Sequence, residues 1–264
     1  MSSRPTAIQA LAGDPATSGL ILDFDGVLSP IVEDPTTSAM PDPVRAILVR
    51  LAGRLGLLAV ISGRPADFLA DRVRVPGVPL LGAYGIEQIR DGKRQIDPDA
   101  KKWLGPVREA ARALDLHLAA SPGIRVEEKT ISVAVHWRQA RDQAVAADEV
   151  RHVTARIASE TGLRLEPGKL VEELRPPVDV DKGSAIIALL AGETLTTVAY
   201  AGDDLGDMPA LRAVRELPEV SGYALVVDHG SETDPRLLAI ADQVYAGTEG
   251  FAAWLAELAD AIGV

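Results

Sequence analysis

Two aspartates stand two residues apart, with a glycine directly behind them, in Leu22-Asp23-Phe24-Asp25-Gly26-Val27-Leu28. The apolar run Leu20–Phe24 leads into the pair. Such a run reads as a buried parallel strand, and the carboxyl end of a strand is where open α/β sheets hold their ligands. Gly26 permits a tight bend, so both side chains can approach one centre. A carboxylate in that position can attack phosphorus to form an aspartyl-phosphate, while a second one protonates the leaving oxygen and later deprotonates water. Asp23 is therefore a candidate nucleophile and Asp25 a candidate acid/base. The competing reading, that both merely cap a turn, is left open by the pair alone.

Three further stretches bear on the choice. Val60-Ile61-Ser62-Gly63-Arg64 also carries an apolar run into a hydroxyl and a glycine. Ser62 and the backbone N–H of Gly63 suit phosphate oxygens, reinforced by the helix N-terminus that follows, although a Ser-Gly pair also makes an ordinary turn. Asp181-Lys182-Gly183 opens a helix, and Lys182 offers a point charge to phosphate and nucleophile, or simply points to solvent. Gly202-Asp203-Asp204-Leu205-Gly206-Asp207 follows the apolar run Val198–Ala201. Neighbouring carboxylates repel one another, so this density asks for a cation. Mg²⁺ favours oxygen ligands and takes one or two carboxylates together with substrate phosphate, where it neutralises charge during phosphoryl transfer.

The elements that must position these groups alternate. The runs Leu20–Phe24, Leu57–Ile61, Val78–Leu81, Val198–Ala201 and Tyr223–Val227 read as strands. Pro43–Leu55, Lys182–Ala191, Met208–Val214 and Gly250–Ile262 have helical spacing. This predicts an α/β fold, a doubly wound Rossmann-like parallel sheet. The middle of the chain differs. A helix (Lys101–Leu114), a strand pair (Ile124–Glu128 and Ile131–Trp137), a helix (Arg141–Thr161), then Leu163–Glu166, a Pro167–Gly168 turn and Leu170–Leu174 give the order αββαββ. That order predicts an inserted α+β domain over 99–178, with hinges near Ile96–Asp99 and Pro176–Asp181, between core segments 1–98 and 179–264.

Bulk composition narrows the partners. The 264 residues carry a formal net charge of −11, which argues against nucleic acid, because neutralising phosphates needs a basic face. A small anionic ligand stays compatible, since a bound metal and local bases can reverse the potential in a cleft. The absence of cysteine excludes disulfides, thiolate metal sites and cysteine nucleophiles. The stretch Met1–Gly19 lacks the apolar core of a signal peptide, and no run approaches a membrane span. The expectation is a cytoplasmic monomer with no membrane partner.

The four stretches, in this order and each after an apolar run, resemble the haloacid dehalogenase superfamily of aspartate-nucleophile phosphatases. The resemblance implies that Asp23 is the nucleophile, Asp25 the acid/base, Ser62 a phosphate ligand and Lys182 the bridge between nucleophile and phosphate. It further implies a Mg²⁺ site made by Asp23, the Asp25 carbonyl and Asp203, supported by Asp207 and, less directly, Asp204. The insert matches the position and order of the superfamily's C2-type cap. Val126-Glu127-Glu128-Lys129, Ser132-Val133-Ala134-Val135-His136-Trp137-Arg138 and Pro167-Gly168-Lys169…Glu173-Leu174-Arg175-Pro176 are similar to stretches of trehalose-6-phosphate phosphatases, as is Asp25-Gly26-Val27-Leu28-Ser29-Pro30-Ile31. By that resemblance Glu127, Lys129, Arg138 and Glu173 bind the distal glucose, with Arg64 also on the substrate. Without it, Glu127, Lys129 and Arg138 read as the solvent side of a hairpin.

The implied activity is Mg²⁺-dependent hydrolysis of trehalose 6-phosphate to trehalose and phosphate. The chain departs from the family at Val27, Val180, Gly82-Ala83-Tyr84-Gly85 and Met208-Pro209. These departures keep alternatives open. One is a phosphatase for another disaccharide-like phosphate, such as a glucosylglycerol or pseudo-disaccharide phosphate. Others are a phosphomutase and a catalytically silent binding module.

Overall fold

A computed structural model describes residues 4–32, 34–168 and 170–264. Lys169, part of the Pro167-Gly168-Lys169 stretch, lies outside the described residues. The described chain divides into two compact units, one built from residues up to Gln95 together with Val180–Val264, the other from Ile96–Asp179.

The first unit opens with α1 (Ala7–Gly13), β1 (Ser18–Leu22), α2 (Asp42–Ala52), β2 (Leu57–Ile61), α3 (Ala66–Val73), β3 (Leu80–Gly82), β4 (Glu87–Arg90) and β5 (Lys93–Ile96). The second contains α4 (Pro98–Lys101), α5 (Leu104–Leu118), β6 (Arg125–Glu128), β7 (Val133–His136), α6 (Gln143–Thr161), β8 (Arg164–Gly168) and β9 (Val171–Arg175). The chain then returns to the first unit with α7 (Lys182–Leu190), β10 (Thr197–Gly202), α8 (Met208–Arg215), β11 (Ser221–Asp228), α9 (Pro235–Ile240), β12 (Gln243–Ala246) and α10 (Gly247–Ile262).

Among the described residues the first unit has an eight-stranded sheet in the order β12-β11-β10-β1-β2-β3-β4-β5. The six strands from β12 to β3 run parallel. Every residue of β1, β2 and β10 is buried, as central strands covered on both faces require. Leu20, Leu22, Phe251 and Leu255 lie in the core on one side; Ile21, Tyr200, Ile186 and Leu211 lie in the core on the other. The predicted parallel sheet is thus present, with an addition: β4 runs antiparallel to β3 at the edge. The mostly polar residues of β4 and of the edge strand β5 carry none of the apolar continuity that marks the inner strands.

In the second unit the sheet order is β6-β7-β9-β8 with all neighbours antiparallel. Val133, Val135 and Leu174 pack on Val107, Leu114 and Val150 of α5 and α6. The predicted Pro167–Gly168 turn is corrected: both residues belong to β8, opposite Glu172 and Val171. Proline is tolerated there because β8 is the edge strand. Leu170, at φ 61°, takes up the reversal instead.

Candidate active site

β1 and β10 are neighbours in the parallel sheet, so the loops after them emerge at one edge. Asp23 follows β1 directly and extends the ladder, its N–H donating to the Ala201 carbonyl at 2.9 Å. Its side chain is buried. Gly26 then turns the chain at φ 76°, and its N–H donates to the Ser29 carbonyl at 2.8 Å. A Cβ on Gly26 would collide with the Asp203 carboxylate, so only glycine lets these two loops close on each other.

Lys182 reaches the same point from the first turn of α7. Asp181 caps α7 through a reciprocal pair of bonds with Ser184, which puts Lys182 in the first turn with its side chain buried. Its Nζ lies 2.5 Å from Asp207 Oδ1 and 2.9 Å from Asp23 Oδ1. The contact to Asp23 is an ion pair without hydrogen-bond alignment, so Oδ1 of Asp23 is a buried acceptor with no hydrogen bond.

Asp207 is fully engaged. Its Oδ1 accepts from Lys182 and from the Tyr200 hydroxyl, and its Oδ2 accepts from the N–H groups of Asp203 at 2.9 Å and Asp204 at 3.1 Å. Those four donors use the lone-pair positions a carboxylate has. Asp23, Asp203 and Asp207 offer oxygens within 4.8 Å of one another. Asp204, by contrast, caps the short turn that follows it, accepting from Gly206 N–H at 2.8 Å.

The electrostatics follow from this crowding. Burial pushes the Asp23 carboxyl well above the ordinary range, Asp207 adds to the rise, and Lys182 opposes it. Burial likewise raises Asp203 to about 9, with Asp23 and Asp207 contributing. For Asp207 burial works upward, but Lys182, Tyr200 and the backbone donors outweigh it and leave the pKa lowered. Burial would strip Lys182 of its proton, but the Asp207 and Asp23 carboxylates hold its pKa above normal. Burial and mutual repulsion resist full ionisation of this trio; ionised together beside one ammonium they would leave a formal excess of two negative charges, the charge a divalent cation brings. An all-oxygen donor set with a buried, unbonded oxygen on Asp23 fits a hard cation.

The carboxylate of Asp25 stands apart from that cluster. Arg64 donates to it through Nε and Nη2, and Ser38 donates at 2.7 Å. Arg64 itself lies over the Phe68 ring, 4.8 Å from its centroid. Ser62 is buried after β2, its Oγ accepting from Arg64 N–H at 3.1 Å. The turn reading of Ser62 is therefore present in the geometry, and the hydroxyl hydrogen remains available to a phosphate oxygen. The tip of the Tyr84 ring lies against Gly63. Tyr84 N–H donates to the Ser62 carbonyl at 2.9 Å, and Ala83 N–H to the Arg64 carbonyl at 2.8 Å. Both Ala83 and Tyr84 sit in the left-handed region, at φ 49° and 61°.

In the second unit, β6, β7 and β9 align Glu127, Ala134 and Glu173 in one cross-strand row. Glu127 meets His136 at 2.8 Å. That bond lowers the Glu127 pKa to about 2; burial opposes the shift and Lys129 assists it. Glu173 accepts from Lys129 at 3.0 Å and from Ser132 at 2.5 Å. Glu127, Lys129 and Glu173 therefore share a polar face. Arg138 does not join them: it is exposed beyond β7, and among the described residues no hydrogen bond links it to either carboxylate. From the sequence, Ser38 and Tyr200 have no role, and Ser132 and His136 stand only within a family-like stretch, without a role of their own. The pairing of His136 was accessible through strand alternation, whereas Ser38 and Tyr200 enter only through tertiary approach.

Comparison with known proteins adds the family. The fold is that of haloacid dehalogenase-type hydrolases, an α/β core with an inserted α+β unit. A haloacid dehalogenase-like hydrolase from Bacteroides thetaiotaomicron matches with a TM-score of 0.61 at 17% identity, covering 91% of this chain and 99% of that one. The solved structure of a trehalose-6-phosphate phosphatase related protein matches at 0.76 and 21% identity, covering 92% and 97%. A family model described as trehalose-phosphatase matches residues 21–238, and the chain belongs to that family. It is 36% identical over 256 residues to the trehalose-phosphate phosphatase of Mycobacterium avium (strain 104), taking in 91% of this chain. It spans 63% of that relative's length. Among the described residues no helix is long and apolar enough to cross a membrane.

Proposed function

We propose that this chain is a cytoplasmic Mg²⁺-dependent phosphatase that converts trehalose 6-phosphate and water into trehalose and phosphate. The observation that carries the chemistry is the Lys182 ammonium held between Asp23 and Asp207 at the edge where β1 and β10 end. Membership of the trehalose-phosphatase family supports the substrate.

In this reading Asp23 attacks phosphorus and becomes an aspartyl-phosphate, while Asp25 gives its proton to the departing sugar oxygen. Asp25 then takes a proton from water, the resulting hydroxide attacks phosphorus, and Asp23 is released as carboxylate with inorganic phosphate. Ser62 and the Gly63 N–H bind the phosphoryl oxygens, and Lys182 balances their charge. Mg²⁺ would be held by the Asp23 and Asp203 carboxylates and the Asp25 carbonyl, and when bound it supplies neutralisation of the transferring phosphoryl group. Asp207, its oxygens already engaged, orients Lys182 and the Asp203 loop. Glu127 and Glu173 accept from sugar hydroxyls and Lys129 donates to them.

A panel of sugar phosphates assayed with Mg²⁺ tests the substrate: trehalose 6-phosphate no better than glucose 6-phosphate would refute it. Undiminished turnover by Asp23→Asn would refute the mechanism. A second reading keeps the chemistry and exchanges the sugar for another disaccharide-like phosphate. It is favoured by Tyr84, whose ring lies against Gly63 where the family commonly carries histidine, and the same panel decides between the two.

A further inference from the structure

His229 stands just beyond β11, and nothing in the proposed chemistry uses it. Its backbone N–H donates to Thr233 Oγ1 at 2.7 Å, and Thr233 is buried. The imidazole is largely buried too, with 18% of the side chain exposed. Its Nε2 lies 2.9 Å from the Gly26 carbonyl oxygen and 3.6 Å from Asp203 Oδ2. A carbonyl only accepts, so Nε2 carries the hydrogen in this contact. That hydrogen therefore comes between the loop after β1 and the loop after β10. These are the same two loops that Gly26 lets approach closely by having no Cβ.

We propose that His229 is a positioning residue that fixes the Gly26 peptide and the Asp203 carboxylate relative to each other, presetting the acidic cluster for a divalent cation. The inference rests on the cation reading of that cluster. Gly26 joins the Asp25 carbonyl, assigned to the cation, to the rest of the turn. A donor anchored on a third loop holds the Gly26 carbonyl by a hydrogen bond and packs its positive N–H edge against the Asp203 carboxylate at 3.6 Å. Partners of this kind typically govern metal affinity by about 10- to 100-fold.

The test is calorimetric titration of the metal-stripped full chain with Mg²⁺, with denaturant midpoints measured in the absence of metal. His229→Phe fills the same space without a donor and is expected to weaken Mg²⁺ binding by about 10-fold or more. His229→Gln places an amide N–H near the position of Nε2 and is expected to recover affinity to within about threefold of wild type. The two variants should share one metal-free midpoint. Equal Mg²⁺ affinity in wild type and His229→Phe, or equal weakness in the Gln and Phe variants, would overturn the assignment. Should His229→Phe fail to fold, Thr233→Val loosens the anchor while keeping the imidazole. Weaker Mg²⁺ binding is then expected, and unchanged binding overturns the proposal. A wild-type chain that takes up no Mg²⁺ refutes the cation reading itself.

Discussion

Arg64 grips Asp25 with two nitrogens, Nε on Oδ2 at 2.7 Å and Nη2 on Oδ1 at 3.1 Å. A planar fork on a planar carboxylate fixes the plane as well as the position of the acceptor. Asp25 is two residues from Asp23, yet its carboxylate is held by Arg64 and Ser38 rather than by the acidic cluster. The two aspartates therefore sit in separate environments, as the proposed division into nucleophile and acid/base requires.

Arg64→Lys keeps the charge and loses the fork. Turnover number should fall about 10- to 100-fold through misorientation of Asp25, with a smaller change in KM. Steady-state kinetics separates this from a purely substrate-binding role for Arg64, which would raise KM and leave kcat unchanged.

Lys182 is the only ammonium contacting Asp23 and Asp207 among the described residues. Lys182→Met should destabilise the metal-free chain by about 3–5 kcal/mol, because buried carboxylates lose their partner. Urea unfolding in chelator measures it, and added Mg²⁺ should recover part of the loss. A variant as stable as wild type in chelator would contradict the role given to this lysine.

Metal withdrawal should lower the melting temperature of the wild-type chain. Restoring Mg²⁺ to 100 times its dissociation constant should add about 2.7 kcal/mol of stability by mass action. Asp203→Asn removes a proposed ligand and should abolish the Mg²⁺-dependent shift. If the shift persists in that variant, the ion binds elsewhere.

Glu127 has its folded-state pKa lowered from 4.5 to about 2, first by the bond to His136. A carboxyl depressed in the folded state stabilises it above the unfolded pKa, and that contribution disappears as pH falls through the folded value. The stability difference between wild type and Glu127→Gln should therefore be full above about pH 5 and vanish near pH 2. Unfolding midpoints across that range provide the check, and a difference that grows on acidification would reverse the sign.

The inner strands and the four chemical stretches were legible because buried parallel strands leave long apolar runs and ligand groups cluster behind them. Asp23, Lys182 and Asp203 come together from three separate stretches as the doubly wound order requires. The edge elements were less visible. Glu87–Arg90 and Lys93–Ile96 are mostly polar, with a single isoleucine each and with Glu87 buried as a charged residue, so they lack a hydrophobic period. α1 was missed although Thr6 and Gln9 form a capping box, a signal three residues apart that outweighs the small, polar surroundings. Helix ends moved by a few residues, as at α5, which starts at Leu104 after a separate turn of helix. The grip of Arg64 on Asp25 spans 39 positions of chain and leaves no trace in local spacing.

Ala134, between Glu127 and Glu173 in the cross-strand row, has only a methyl group to offer that face. Its smallness works as a spacer. The two carboxylate-bearing strands lie two sheet spacings apart, roughly 10 Å, and Ala134 between them is buried, with Lys129 reaching Glu173 at 3.0 Å. A larger side chain at position 134 finds no free space on that face and would have to displace one of its neighbours, so the row of acidic groups depends on a residue that carries no charge.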